Sequence, residues 1–177
     1  HIKFGESTAV LAGNSLLTLA FQMIADEKFN IDKNAKTELI EELAQCSGHT
    51  GIAGGQELDL KFERKKKTVS QIINMQRKKT GKLFNFCCLS AGIVAKKNKK
   101  IKKELSNLGE DIGLLFQLAD DFIDVKGSIK LAGKPTRKDK KKGKSTLVSL
   151  IGYENAYSFA NKLKKNILSK LLKHEKK

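Results

Sequence analysis

Apolar residues recur along this chain at helical spacing, and no stretch alternates as a strand does. Residues 5–25 carry Ala9, Ala12, Gly13, Leu16, Leu19 and Ala20, a helical period whose small residues permit close packing. This stretch reads as a buried helix. A polar connection, Asp26 to Asn34, leads to a second helix that starts near Asp32 or Asn34 and carries Leu39, Ile40, Leu43 and Ala44. Gly48 to Gly55 is glycine-rich, and packing residues resume over 56–60. No strand precedes these glycines, so they predict close helix approach or a kink rather than a phosphate loop. After the basic loop Arg64 to Lys67, Thr68 and Gln71 form a capping-box pattern that opens a third helix, running to about Val94. A basic connector, 96–103, leads into a fourth helix over about 101–125. Gly127 to Gly143, with Pro135, reads as loop. The last helices start near Ser145, and the final one carries Tyr153, Ala156, Tyr157, Ala160, Leu163, Ile167 and Leu171 in one stripe. The expected fold is all-α, a helical bundle forming a single domain over 1–177.

The fourth helix organises the rest. From Ile112 to Ala119 it is apolar on nearly every face, the mark of a buried helix. Three carboxylates close the run: Asp120, Asp121 and Asp124. Asp120 and Asp124 are one turn apart on one face, roughly 5–6 Å at Cβ. At an effective dielectric near 20 such charges repel by about 3 kcal/mol. Protonation, pairing with Lys or Arg, or a bound cation would relieve this. Oxygen ligands with room for water suit Mg²⁺ shared with a phosphate. Against this stands the commoner case, a solvated acidic face. Gln117, one turn earlier, and the Gly- and Lys-rich segment that follows favour the cation.

Composition narrows the partners. A chain of 177 residues supports one sizeable core. The net charge of +16 would ordinarily suggest nucleic acid or an anionic membrane. Nearly all of the excess is Lys; the arginines are Arg64, Arg77 and Arg137, with none of the Arg–aromatic interleaving that stacks bases. No nucleic-acid partner is expected. No apolar stretch approaches the 18 or more residues of a membrane helix, so no membrane span is expected. Cys46, Cys87 and Cys88 lack C-x-x-C spacing, and neighbouring Cys87 and Cys88 suit a disulfide poorly. They are expected to pack as small hydrophobes in a reducing cytoplasm.

Four ordered blocks carry a resemblance. They are Phe4-Gly5-Glu6-x-Thr8-Ala9-x-Leu11-Ala12-Gly13, then Gly54-Gly55-Gln56-x-x-Asp59-Leu60, then Lys79-Thr80-Gly81. The fourth is Phe116-Gln117-x-x-Asp120-Asp121-x-x-Asp124, followed by Gly133-Lys134 and Gly143-Lys144-Ser145-Thr146. Together they resemble the trans-polyprenyl diphosphate synthases, most nearly the bacterial farnesyl diphosphate synthases (geranyltranstransferases), over the C-terminal part of the catalytic domain. The resemblance implies a bundle of the isoprenoid synthase type, its central helix bearing the second aspartate-rich motif. It implies a Mg²⁺-assisted transferase that ionises an allylic diphosphate (dimethylallyl or geranyl diphosphate) and condenses it with isopentenyl diphosphate. Asp120 and Asp124 match the metal ligands, with Asp121 supporting metal-bound waters. Lys79, Lys134 and Lys144 match the lysines on the allylic diphosphate; Thr80 and Gln117 match the polar groups facing the carbocation. Gln56 and Asp59 match positions lining the same cavity. His1 matches the end of an arginine block that binds substrate, which puts the first aspartate-rich motif before residue 1 and leaves the domain incomplete. Family members are typically homodimers. The competing readings are a non-catalytic subunit or fragment of the same family, and a basic helical module for nucleic acid or membrane.

Overall fold

The structure, a computed structural model, describes residues 1–126 and 146–175. Every regular element among them is helical, as the spacing of apolar residues predicts. In chain order they are α1 (Glu6–Ala25), α2 (Lys33–Ser47), α3 (Ile52–Phe62), α4 (Val69–Gln76), a π turn (Arg77–Gly81), α5 (Lys82–Val94), α6 (Lys99–Lys126), α7 (Leu147–Ile151) and α8 (Tyr153–Glu175).

Local chemistry accounts for the helix starts. Asp32 caps α2, its carboxylate accepting from the Asn34 and Ala35 amides at 2.9 and 3.3 Å. Thr68 and Gln71 close the capping box of α4 in both directions. Thr146 and Ser149 do the same for α7. The predicted third helix is a composite: α4 and α5 are collinear in sequence but joined through the π turn, which holds Lys79 and Thr80. Short π segments recur at functional sites.

The central place of α6 is observed: α5, the π turn, α4, α7 and α8 all pack on it. Ile72, Met75, Leu114, Leu118, Leu147 and Ala160 form the main core. Ile72, Leu118 and Leu147 are fully buried, and each such side chain contributes about 1.5–3 kcal/mol. A second cluster, Ala35, Leu39, Leu89 and Ile93, ties α2 to α5. Glycines let α6 touch α5 and the π turn: a Cβ on Gly109 would meet the Phe84 carbonyl oxygen of α5 at 2.4 Å, and one on Gly113 would meet Gly81 Cα of the π turn at 2.6 Å.

Two expectations about apolar faces are corrected. Residues 5–25 do form a helix, but none of its residues is buried, and Val10, Leu11, Leu16 and Met23 stand out into solvent. The pattern is that of a helix with packing faces; α2 meets it, and Ile24 packs on the cluster between α2 and α5, but much of its apolar side stays exposed. α1 is also long and apolar enough to cross a membrane by length and composition alone, contrary to the expectation that no such stretch exists. Likewise α6 is not enclosed on all sides: Phe116 is 58% exposed, paired only with Phe84 at 5.4 Å between ring centroids among the described aromatic rings. Cys87 is exposed rather than packed, whereas Cys46 is buried as expected.

Candidate functional site

The second, third and fourth sequence blocks meet where α3, the π turn and α6 pack together, whereas the first lies on α1, which packs on α2. Thr80 Oγ1 donates to Gln117 Oε1 at 3.1 Å. Gln117 Nε2 in turn donates to Asp121 Oδ1 at 3.0 Å. Gln76 Nε2 donates to the other Asp121 oxygen, Oδ2, at 3.1 Å. The loop of contacts is closed, because residues 76 and 80 belong to one segment and residues 117 and 121 to one turn of α6. Thr80 therefore bonds across to α6 instead of back to its own helix.

Asp121 is 2% exposed, the deepest of the three aspartates, while Asp120 and Asp124 are half-buried. The motif thus divides by depth. Asp121 is held by two amides inside the packing. Asp120 and Asp124 share the neighbouring face, nearer solvent.

Lys79 is held from α3 in two ways. Its Nζ pairs with Asp59 Oδ2 at 2.5 Å. Its backbone lies against Gly55, where a Cβ would fall 2.2 Å from Lys79 N. Gly55 of the second block therefore serves close approach, as expected, and Asp59, one turn later on α3, is brought to the lysine. Gln56 is exposed on the same helix. His1 is exposed too, and its carbonyl accepts from Gly5 N at 2.9 Å. Lys134 and Lys144 lie outside the described residues.

A second polar network was missed by sequence reasoning. Arg77 donates to Asp111 Oδ1 at 2.7 Å, and Lys170 on α8 reaches the other oxygen of Asp111 at 2.8 Å. Glu110 accepts from Lys82 at 2.7 Å and Asn85 at 3.1 Å, with Arg77 at 3.4 Å. Burial alone would push both carboxyls up; the cations and amide around them outweigh it and hold both below their ordinary values. These pairs staple the π turn and α8 to α6. The one available signal was Gly109 and Gly113 flanking the acidic pair, since close packing on both sides puts Glu110 and Asp111 at a helix contact. A recess of about 430 Å³ between α2, α5 and α6 adjoins Glu110 and is lined by Glu42, Cys46, Lys82, Asn85 and Lys102. Its lining includes none of Lys79, Thr80, Gln117 or the three aspartates.

Among the described residues no three His, Cys, Asp or Glu side chains converge as a self-sufficient metal cage. The donor set still fits Mg²⁺. That ion commonly takes one or two carboxylates and leaves its other positions to water and phosphate oxygens. Asp120 and Asp124 supply such carboxylates from one turn.

This fold, with its aspartate motif beside a Lys-Thr-Gly π turn, defines an all-helical protein of the isoprenoid synthase kind. The profile of the polyprenyl synthetase family matches residues 1–177, and the chain belongs to that family. It is 39% identical over 161 residues to the farnesyl diphosphate synthase of Micrococcus luteus, covering 91% of this chain and 55% of that protein. The Escherichia coli K12 farnesyl diphosphate synthase is also 39% identical, over 168 residues, with 92% and 55% covered. Among solved structures, Helicobacter pylori geranyltransferase complexed with magnesium and isoprenyl diphosphate superposes with a TM-score of 0.86 at 32% identity, over 97% of this chain and 55% of that one. The chain therefore spans about half the length of the relatives it matches.

Proposed function

We propose that this chain forms part of a trans-prenyltransferase active site, one that joins an allylic diphosphate to isopentenyl diphosphate and releases a short-chain prenyl diphosphate. The observation that carries this is the crossing of α6 with the π turn. It sets two half-buried carboxylates, Asp120 and Asp124, on the same helix as Gln117, which bonds Thr80 next to Lys79.

The reaction breaks the allylic C–O bond, and its electron pair leaves with the diphosphate. The π electrons of isopentenyl diphosphate then form the new C–C bond, and a proton is lost from the adduct. Bound Mg²⁺ supplies charge neutralisation on the departing diphosphate. Asp120 and Asp124 would hold that ion, and Asp121, fixed by its amides, would orient their turn of helix. Lys79 would exchange part of its bond to Asp59 for a phosphate oxygen, a charge-assisted contact that strengthens as the leaving group gains charge. Lys134 and Lys144 would add to this cradle. Thr80 and Gln117 present oxygen dipoles near the developing cation, where a full negative charge would trap it. Gln56, Asp59 and His1 complete the expected lining.

We read the uncovered apolar side of α1 as a packing surface of a soluble homodimer rather than a membrane span. The polar residues Asn14, Ser15, Thr18 and Gln22 within it support this. Three free cysteines fit a reducing cytoplasm.

Calorimetric titration with inorganic pyrophosphate, with and without MgCl₂, tests the site. Binding should require Mg²⁺, and Asp120→Asn should weaken it at least about tenfold, the loss of one charge-assisted contact, with the fold intact by circular dichroism. Binding that is indifferent to Mg²⁺ or to Asp120 would overturn the proposal.

A further inference from the structure

Resting on the reading above, we infer that Gln76 is a positioning residue for the metal face, acting through Asp121. Nothing in its sequence neighbourhood marks it. It closes α4, is 4% exposed, and sits one residue before the π turn. Its Nε2 donates to Asp121 Oδ2 at 3.1 Å, opposite the bond from Gln117 to Oδ1.

Two features separate this contact from incidental core polarity. The first is its closure. Thr80 to Gln117, Gln117 to Asp121, and Gln76 to Asp121 join residues four apart on one segment to residues four apart on the other. Such a loop fixes α6 against the π turn in rotation as well as in distance. Asp120 directly precedes Asp121 and Asp124 follows it by three residues, so the rotation of α6 sets where their oxygens point.

The second is what the contact leaves unmade. Gln76 Oε1 is fully buried, and among the described residues it is the one buried side-chain polar atom without a hydrogen-bond partner. Buried carbonyls are normally paired, and an exception calls for an explanation. Here the amide cannot turn to satisfy that oxygen without swinging its N–H off the Asp121 carboxylate and facing it with a second acceptor. The donor at Asp121 is kept and the acceptor is sacrificed. An apolar side chain at position 76 would avoid the orphaned atom, so the N–H toward Asp121 is the feature that the fold retains.

The test uses the whole protein, inorganic pyrophosphate and MgCl₂. Gln76→Met keeps the volume and loses the N–H. It should raise the Mg²⁺ concentration for half-saturation about tenfold or more, the scale of one hydrogen bond to a charged group. Pyrophosphate affinity at saturating Mg²⁺ should change far less. Gln76→His, which restores a ring N–H, should recover most of the Mg²⁺ dependence. Should Gln76→Met fail to fold, Gln76→Asn, whose amide stops one methylene short, is read in the same way. Unchanged half-saturation in Gln76→Met overturns the inference, and so does an equal loss in Gln76→His when both variants melt as wild type. If the wild-type protein shows no Mg²⁺-dependent pyrophosphate binding, the proposed function fails as well; if it binds and Gln76→Met binds equally, only the role of Gln76 fails.

Discussion

Replacing Gly55 by alanine should displace Lys79 without touching its side chain. A Cβ built on Gly55 lies 2.2 Å from Lys79 N, 2.5 Å from Lys79 Cα and 2.7 Å from the Lys78 carbonyl carbon. All three neighbours are backbone of the π turn, so no flexible side chain can move aside. Overpacking of this kind costs about 1–3 kcal/mol. The better helix propensity of alanine returns roughly 0.5–1 kcal/mol. The net loss is about 1–2 kcal/mol, a fall in melting temperature of roughly 2–8 °C for a chain of this size. Gly13→Ala, where nothing lies within 4 Å of the added carbon, keeps only the propensity gain and should raise the melting temperature slightly. The two variants should therefore shift in opposite directions in thermal unfolding followed by circular dichroism. Gly55→Ala should also weaken Mg²⁺-pyrophosphate binding, because moving α3 off the π turn parts Lys79 from Asp59. A Gly55→Ala protein that melts at or above wild type and binds normally would refute both the close approach and its link to Lys79.

Asp111→Asn should destabilise by about 2–3 kcal/mol, since it removes a charged partner from each of Arg77 and Lys170, leaving Arg77 only the longer contact to Glu110; denaturant unfolding measures this. Because Glu110 and Asp111 titrate below their ordinary values in the folded chain, their contribution is present above about pH 4 and is lost as pH falls below that. In Asp111→Asn, that acid-side loss should be smaller. Glu42 runs the other way: burial, then Glu38 and Glu41, raise its carboxyl, so its ionisation opposes folding as pH rises through the raised value. Glu42→Gln should accordingly raise the melting temperature at pH 7 and lose that advantage below about pH 4. Thiol labelling at pH 8 should modify exposed Cys87 first, since burial pushes the Cys88 and Cys46 thiols up, with neighbouring Cys87 and Glu42 respectively adding to the effect; fastest labelling at Cys46 would contradict the packing of α2.

Much of the architecture could be read from the amino-acid order because helices are local. Caps at Asp32, Thr68 and Thr146 need partners only two or three residues away. The apolar spacing of α6 and α8 depends on the 3.6-residue turn alone, and the four family blocks are visible as strings. Covering a face is a different matter, since it depends on what arrives from elsewhere. The same spacing that marks α6 as a hub marks α1 as buried, yet in the described fold none of the residues of α1 is buried. Depth within the aspartate motif was equally hidden. Helical spacing sets Asp121 apart from the shared face of Asp120 and Asp124 but does not say which face lies deeper; only the crossing of α6 with the π turn puts Asp121 inside, between the amides of Gln76 and Gln117. Gln76 and the Arg77–Asp111–Lys170 staple join residues 34 to 59 positions apart. At such separations no local periodicity constrains which side chains meet, and the partners are chosen by how the helices pack.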